Sequence, residues 1–190
     1  MISSLLLPEG QSISHHQNLD ATVASISKHS ARDAQAWRAA GLPTPGAMVE
    51  IPAAALRAGA LLAEVDFLSI GTNDLGQYTM AADRQSGDLA ELLDPWQPAL
   101  LSLVAACGEA GRRAGKPVGV CGEAAADPLL APVLVGLGIT SLSMSARAVP
   151  QVGAALARLT LADCTELAGL AVAADSAASA RAAVRDRVPQ

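Results

Sequence analysis

Basic residues are scarce in this sequence of 190 residues. It contains 13 Lys and Arg against 18 Asp and Glu, which gives a formal net charge of −5, and it has no block of basic residues. Non-specific binding of nucleic acids depends mainly on contacts between Lys or Arg and the phosphates. The charge balance therefore argues against a nucleic-acid-binding protein.

Long apolar runs and paired cysteines are lacking as well. No window approaches about 20 uninterrupted apolar residues, the length that a helix needs to cross a bilayer. The start, MISSLLLPEG, lacks the basic region and the longer apolar stretch of a secretory signal. The three cysteines, Cys107, Cys121 and Cys164, show no CxxC spacing, and their odd number fits a reducing compartment. We therefore expect a cytoplasmic protein without membrane insertion, a disulfide framework or a zinc module.

Aromatic side chains make up only 2% of the residues, whereas apolar residues make up 51% and charged residues 16%. A disordered chain has the opposite balance of apolar and charged residues. A chain of this length can bury roughly 70% of the surface that it exposes when unfolded. We therefore expect a folded protein whose core is built from Ala, Leu, Val and Ile.

Short apolar runs alternate with helical segments in the middle of the sequence. The runs predict strands at 47–51, 66–70 and 117–123, with a further short strand at 140–144. The segments between and after them predict helices at 53–64, 99–115 and 128–138. This β-α-β-α-β-α order is typical of an α/β fold with a parallel sheet and right-handed crossovers. The first three strands are apolar throughout, so we expect them to be buried on both faces.

The sequence divides into a lead-in, a central region and a tail, at 1–40, 41–150 and 151–190. The lead-in is poorly patterned and contains one predicted helix, at 21–40. The tail is rich in Ala and predicts helices at 150–159 and 161–187. Asp163 and Asp175 are candidate N-caps in this tail, because a side-chain oxygen there can accept a hydrogen bond from the first turn of a helix.

Polar side chains follow the predicted strands at the point where each strand ends. Glu50 lies near the end of the first strand, and Asn73 and Asp74 follow the second. Cys121 and Glu123 come at the end of the third. The carboxyl ends of parallel strands share one edge of the sheet, where such folds bind their ligands. We therefore expect these side chains to lie close together.

Glu50 and Asp74 are candidate ligands for Mg²⁺. This cation prefers oxygen ligands and often takes one or two carboxylates together with waters and substrate oxygens. An acid inside the apolar run AMVEI costs free energy unless it is paired or coordinated. The alternatives are that Glu50 pairs with an Arg and that Asp74 is an ordinary turn or cap residue.

Two further features suit an anionic substrate. The segment GTND, at 71–74, could offer successive backbone N–H groups to an oxyanion. Arg84 could bind a phosphate or a carboxylate through two hydrogen bonds. The alternative for Arg84 is a solvated side chain that pairs with Asp83 or Asp88.

Cys121 lies between two glycines and could act as a nucleophile or as a general acid. The alternative is a small buried apolar residue, which is what we expect Cys107 and Cys164 to be. A cysteine hydrolase would need a histidine near the thiol. The candidate histidines, His15, His16 and His29, all lie in the lead-in, which makes a hydrolase the least favoured interpretation.

Five longer motifs occur in order: GAMVEIPAAAL, EVDFLSIGTNDLGQYTMAADR, DPWQPALLSLV, GKPVGVCGEAAADP and GLGITSLSMS. Together they resemble the C-terminal domain of the Enzyme I family, the phosphoenolpyruvate–protein phosphotransferases of the bacterial sugar phosphotransferase system. Pyruvate phosphate dikinase and phosphoenolpyruvate synthase are related and share some of these elements. The resemblance covers about residues 41–150. One departure is Gly76, where the family often has Thr.

The resemblance implies a fold, a reaction and a set of site residues. The family's domain is a TIM (β/α)₈ barrel that binds phosphoenolpyruvate. Its magnesium ligands match Glu50 and Asp74, and its substrate-binding residues match Asn73, Asp74 and Arg84. Its proton-donating cysteine matches Cys121. Mg²⁺ and Arg84 would neutralise the phosphate charge, and the thiol would deliver a proton to the enolpyruvate left after phosphoryl transfer.

The length implies only part of such a barrel. A complete barrel takes about 250 residues, and the convincing strands here correspond to about the last three βα units. Nothing matches the family's earlier substrate arginines, and the surroundings of His29, SKHSARD, do not match its phospho-accepting histidine. We therefore expect an incomplete barrel with a helical C-terminal tail. Its open sheet edges would make the isolated chain poorly stable or prone to associate.

Two functions follow from the resemblance. In the first, the chain is the phosphoenolpyruvate-binding part of a Mg²⁺-dependent transferase that phosphorylates a histidine in a domain absent here, and the isolated chain is inactive. Its partners would be phosphoenolpyruvate and pyruvate, the phosphocarrier protein reached through the full-length enzyme, and a second copy in a homodimer. In the second, the chain is a truncated, non-catalytic remnant that acts only by associating with an intact enzyme or a partner half.

Overall fold

Short apolar runs form the strands of one parallel sheet in the computed structural model. The structure describes residues 32, 34–36, 38–39, 41, 44–83 and 87–188, without the side chain of Asp88. The strands follow the order of the chain and are β1 (Gly46–Val49), β2 (Phe67–Gly71), β3 (Val118–Cys121) and β4 (Ser141–Ser143). Each strand pairs in parallel with the next one, so their carboxyl ends meet at one edge.

The sheet confirms the short strand predicted at 140–144 and differs from the prediction in the burial of β1. β4 spans Ser141–Ser143, so the described sheet has four strands. β1 is not buried on both faces, since only Val49 among its residues is fully buried. β1 is an edge strand of the described sheet, where one side of the strand has no neighbour.

Helices follow every strand. Those after β1 are α1 (Pro52–Leu56) and α2 (Ala58–Glu64). Those after β2 are α3 (Thr72–Met80), a 3-10 helix (Gly87–Leu93) and α4 (Pro98–Ala114). Those after β3 are α5 (Glu123–Ala126) and α6 (Leu130–Gly136), and those after β4 are α7 (Val149–Leu156), α8 (Leu161–Val172) and α9 (Ala177–Arg187). This order confirms the predicted α/β class.

Helix ends follow local sequence signals in the central region. α4 begins at Pro98, which has no backbone N–H and therefore leaves none unpaired in the first turn. Its C-cap is Gly115, which adopts the left-handed conformation with φ of 63°. The prediction of a helix at 99–115 is thereby confirmed. The single helix predicted at 53–64 is two helices instead, because the backbone of Arg57 leaves the helical conformation between them.

The tail has its caps at positions other than the predicted ones. Thr160 caps α8 and Ser176 caps α9, each in a reciprocal pair of hydrogen bonds with the residue three positions on. Asp163 is the second member of the first capping box rather than the cap, and Asp175 precedes the cap of α9. The helix predicted at 161–187 is therefore interrupted between α8 and α9.

The core lies between the sheet and its helices and continues into the tail. Its members include Leu68, Ile70, Val118 and Val120 from the two central strands. Leu167, Ala180 and Val184 bring α8 and α9 into the same cluster. Where α6 crosses α8, a Cβ on Gly136 would overlap the carbonyl of Cys164, so the two backbones touch. The tail helices thus pack on the same core as the sheet.

At the amino-terminal edge of the sheet, charged side chains form hydrogen bonds with backbone carbonyls and with each other. Lys116, just before β3, donates hydrogen bonds to the carbonyls of Leu62 and Val65 at 2.6 and 2.9 Å. Arg38 donates to Asp66, just before β2, at 2.8 Å. The described residues between 32 and 39 are helical, in the part of the predicted helix 21–40 that the structure covers. No helix in the described ranges is long and apolar enough to cross a membrane.

Candidate functional site

The predicted site residues lie at the carboxyl ends of three neighbouring strands. Glu50 is the first residue after β1. Asn73 and Asp74 lie in the first turn of α3, which starts directly after β2. Cys121 is the last residue of β3. Since the strands are adjacent and parallel, the structure brings these four residues to one edge of the sheet.

The Glu50 side chain lies over the backbone of Gly71 on the neighbouring strand. A Cβ built on Gly71 would come within 2.9 Å of Glu50 Cγ and 3.0 Å of Oε1. Such contacts are closer than real Cβ atoms tolerate, so the glycine creates the space that the carboxylate occupies. The sequence offered a signal for this, since Gly71 directly precedes the TND segment, but it did not show which side chain needs the space.

Two carboxylates come together at this edge. Partial burial raises the pKa of Glu50, and the nearby negative charge of Asp74 raises it further. A negative charge near a carboxyl group favours its protonated form. A cation placed between them would remove both the repulsion and the penalty for burying a charge.

The segment GTND forms a helix start rather than a loop. Gly71 is the N-cap of α3, and Thr72, Asn73 and Asp74 form its first turn. The first N–H groups of a helix have no partner within it, so they and the helix dipole favour a bound anion. The Thr72 side chain is buried, and its hydroxyl has no hydrogen-bond partner within the part of the chain that the structure describes.

Cys121 differs from the other cysteines in its exposure. It is half-buried, and its thiol contacts the carbonyl of Ile70 at 3.5 Å. Cys107 and Cys164 are buried in helices, as predicted, and burial raises the pKa of Cys107 to about 12 and also raises that of Cys164. The thiolate is the reactive form of cysteine, so the surroundings of Cys107 and Cys164 disfavour reaction.

A glycine turns the chain immediately after Cys121. Gly122 has φ of 95°, a conformation that side chains rarely adopt, and its N–H donates to the carbonyl of Ser143 on β4 at 3.1 Å. The amide nitrogen of Asn73 lies 4.0 Å from the position that a Cβ on Gly122 would take. Asn73 is thus the closest side chain from α3 to the Cys121 turn. Glu123 follows at the start of α5 and is exposed.

Some candidate residues lie outside the described ranges. Arg84, predicted to bind phosphate, is among them, and so are His15, His16 and His29. Their roles stay predictions.

The carboxylates fit a magnesium site that a substrate completes. In the described ranges, no three His, Cys, Asp or Glu side chains are grouped closely enough to hold a metal alone. Mg²⁺ commonly uses one or two carboxylates and takes its other ligands from water and substrate phosphates. Glu50 and Asp74 suit that arrangement, and they do not suit a metal held by protein ligands only.

Comparison with known proteins identifies the family. The model of the "PEP-utilising enzyme, PEP-binding domain" family, where PEP is phosphoenolpyruvate, matches residues 4–161. That match extends on both sides beyond the region 41–150 in which the sequence motifs occur.

Several relatives carry the name phosphoenolpyruvate-protein phosphotransferase. One from Streptomyces coelicolor is 63% identical over 153 residues, which is 80% of this chain and 28% of the relative. One from Haloferax volcanii is 50% identical over 137 residues, 72% of this chain and 24% of the relative. One from Latilactobacillus sakei is 49% identical over 127 residues, 67% of this chain and 22% of the relative. The chain spans about a quarter of the length of these relatives, and it belongs to the PEP-binding domain family of the PEP-utilising enzymes.

Proposed function

We propose that this chain is the phosphoenolpyruvate-binding part of a phosphoenolpyruvate–protein phosphotransferase. In that reaction, which depends on Mg²⁺, the phosphoryl group passes to a histidine on a domain outside these 190 residues. The observation that carries the proposal is the meeting of Glu50 and Asp74 at the carboxyl edge of the sheet, with Cys121 on the next strand.

Glu50 and Asp74 would hold the metal. Bound Mg²⁺ supplies positive charge to the phosphate oxygens during phosphoryl transfer. The raised pKa of Glu50 supports this role, because burial and the nearby charge of Asp74 both disfavour its carboxylate when no cation is bound. Gly71 keeps the space for Glu50 open.

Asn73 and the first turn of α3 would bind an anionic group of the substrate. The N–H groups at the start of α3 point along the helix axis toward this edge, where the positive end of the dipole lies. By the resemblance to the family, Arg84 would bind the phosphate.

Cys121 would protonate the product. When the P–O bond of phosphoenolpyruvate breaks, the phosphoryl group goes to the histidine and the enolate of pyruvate remains. The electron pair of its double bond takes the proton of the Cys121 thiol at the terminal carbon, which yields pyruvate and a thiolate. The half-buried thiol at the end of β3 is accessible enough to meet a small substrate.

The partners belong to the proposal as well. They are phosphoenolpyruvate and pyruvate, the phosphocarrier protein that receives the phosphoryl group through the complete enzyme, and a second copy in a homodimer. The names of the relatives support phosphoenolpyruvate as a partner, since it is part of those names. We further propose a cytoplasmic location.

Thermal unfolding with Mg²⁺ and phosphoenolpyruvate tests the proposal. A ligand that binds only the folded state raises the unfolding midpoint by mass action. We expect a rise that requires both ligands, that is lost in Asp74→Asn, and that persists in Asp175→Asn, which makes the same change at an exposed tail position. A midpoint that neither ligand moves in the wild-type chain would contradict the proposal.

The second candidate is association without catalysis. An apolar groove beside the exposed edge strand β4 favours it, lined by Ile139, Leu142, Met144, Val149, Val152 and Leu156. In that case Val149→Asp would abolish association with an intact phosphotransferase in sedimentation experiments. Ligand-dependent thermal shifts would be absent from the wild-type chain as well.

A further inference from the structure

A buried tryptophan connects residues 122–127 to the C-terminal helix α9. These residues directly follow Cys121, and we call them the Cys121 segment. Trp96 lies between the 3-10 helix and α4 and is fully buried. We call Trp96 and its polar partners, Asp94, Asp127 and Arg181, the Trp96 cluster. The four residues come from three distant parts of the sequence, and no motif predicts that they meet.

Asp127 holds the far end of the Cys121 segment. It follows α5, and its Oδ2 accepts a hydrogen bond from the indole Nε1 of Trp96 at 3.1 Å. Its Oδ1 accepts from the backbone N–H groups of Leu129 and Leu130 at 2.8 and 3.3 Å. Asp127 therefore fixes the turn into α6 and ties that turn to Trp96.

The near end of the segment is anchored separately. The N–H of Gly122 donates to Ser143 on β4 at 3.1 Å. Between Gly122 and Asp127 lies only α5, which has four residues. A helix of one turn has little stability of its own, so the hydrogen bonds at its two ends, together with the buried side chains of Ala124 and Ala125, hold this segment in place.

Arg181 on α9 contacts the Trp96 ring and binds Asp94. Its Nη2 donates to both carboxylate oxygens of Asp94, at 3.1 and 3.2 Å, and Asp94 Oδ1 also accepts from the backbone N–H of Trp96 at 3.0 Å. The guanidinium carbon lies 5.6 Å from the centre of the Trp96 ring, within cation–π range. Ala180 and Val184 bury one face of α9 in the core, and Arg181 lies beside that face, so it projects from a docked helix.

We propose that Arg181 and Trp96 are positioning residues for Cys121, so that the C-terminal helix α9 controls how often the Cys121 thiol opens to solvent. Without Arg181, Asp94 loses its ionic partner and the Trp96 ring loses its cation–π contact, so the hydrogen bond from Trp96 to Asp127 is broken more often. The segment then opens locally more often. The consequence for catalysis rests on the proposed function, but the effect on the thiol does not.

Alkylation of the 190-residue chain with iodoacetamide, resolved by cysteine in a mass spectrometer, tests this proposal. We expect Arg181→Ala and Trp96→Phe each to raise the alkylation rate of Cys121 by about three- to tenfold, the range for losing one such hydrogen bond. Trp96→Phe keeps a buried aromatic ring, although a smaller one, and removes the N–H donor. Arg185→Ala is the matched control, because it removes the same charge from an exposed position on the same helix.

The buried cysteines separate local opening from loss of the fold. Cys107 and Cys164 are 0% and 3% exposed, so their alkylation reports global unfolding. We expect their rates to stay at the wild-type level in Arg181→Ala and Trp96→Phe. A Cys121 rate in both variants equal to that in Arg185→Ala, or a parallel rise at all three cysteines, would overturn the proposal. Failure of phosphoenolpyruvate and Mg²⁺ to protect wild-type Cys121 would count against the proposed function instead, and it would leave the comparison of variants intact.

Discussion

At the amino-terminal edge of the sheet, Lys116 and Arg38 lie beside Asp66, whereas at the carboxyl-terminal edge Glu50 lies beside Asp74. Opposite charges meet at the first edge and satisfy backbone carbonyls as well. Like charges meet at the second, where partial burial and the charge of Asp74 raise the pKa of Glu50. In barrel-type folds the amino-terminal face is associated with stability and the carboxyl-terminal face with ligands. The two edges of this sheet differ accordingly: opposite charges pair at the amino-terminal edge, and like charges lie together at the carboxyl-terminal edge.

Removing Lys116 should have the largest effect on stability. Lys116→Met keeps the apolar stem but leaves the carbonyls of Leu62 and Val65 without their donor. We expect the free energy of unfolding in urea to fall by about 1.5–3 kcal/mol, the range for hydrogen bonds to a charged group. Arg113→Met, at an exposed position near the same end of α4, is the control. Equal stability of the two variants would contradict a stabilising role for the amino-terminal edge.

Gly71→Ala should damage the carboxyl-terminal edge. The added Cβ would meet Glu50 at about 3 Å, so the carboxylate must move away from its place above β2. We expect a loss of about 1–2 kcal/mol, as overpacking of a filled position costs, and a loss of the thermal shift with Mg²⁺ and phosphoenolpyruvate. An unchanged ligand-dependent shift would show that the position of Glu50 does not matter for binding.

Gly76→Ala makes the same substitution five residues later and should have the opposite sign. Gly76 lies inside α3, and an added Cβ would meet Leu100 Cδ2 at 3.6 Å, an ordinary contact. Because glycine weakens a helix interior, we expect the free energy of unfolding to rise by about 0.5–1 kcal/mol. Calorimetric melting of both glycine variants would measure this contrast directly. A loss of stability in Gly76→Ala would show that α3 requires the glycine for another reason.

Glu50→Gln should produce the smallest effect, visible as a change in pH dependence. The pKa of Glu50 is raised from 4.5 in the folded state, so the folded chain holds its proton to higher pH than the unfolded chain. Stability due to this group is therefore present below pH 4.5 and is lost as pH rises through the folded pKa. We expect Glu50→Gln without metal to unfold at the same or slightly higher denaturant concentration at pH 7, with a flatter profile from pH 4 to 7.

Glu109→Gln gives the reverse control for that profile. Hydrogen bonding from Arg112 and the charges of Arg112 and Arg113 lower the pKa of Glu109. The stability that ionised Glu109 contributes is present above pH 4.5 and is lost as the pH falls. Glu109→Gln should therefore change the slope of stability against pH in the direction opposite to that of Glu50→Gln. Changes of the same sign in both variants would contradict the assignment of repulsion to Glu50 and attraction to Glu109.

The sequence predicts which residues meet at the carboxyl edge of the sheet better than it predicts the contacts that hold them there. Alternation of apolar runs and helices placed Glu50, Asp74 and Cys121 at one edge, because parallel strands leave their carboxyl ends together. The fourth strand was harder to predict, since SLS is short and half-polar. The segment GTND contains residues that are common in turns. In the structure these residues are the N-cap and the first turn of α3, which continues to Met80.

Contacts between distant segments escaped the sequence analysis altogether. The Trp96 cluster joins Trp96 to residues 94, 127 and 181, which lie in distant parts of the sequence. The space above Gly71 likewise depends on Glu50 from another strand. Such features follow from tertiary packing, and periodicity along one segment carries no information about them.

Calorimetric titration of Mg²⁺ at saturating phosphoenolpyruvate tests the central claim most directly, because it asks whether the repelling carboxylates bind a cation. The comparison needs the wild-type chain, Glu50→Gln and the amino-terminal-edge variant Lys116→Met under the same conditions. We predict Mg²⁺ binding in the wild type and in folded Lys116→Met, with affinity at least about tenfold weaker in Glu50→Gln because one of two carboxylate ligands is gone. Identical isotherms for the wild type and Glu50→Gln would contradict the account.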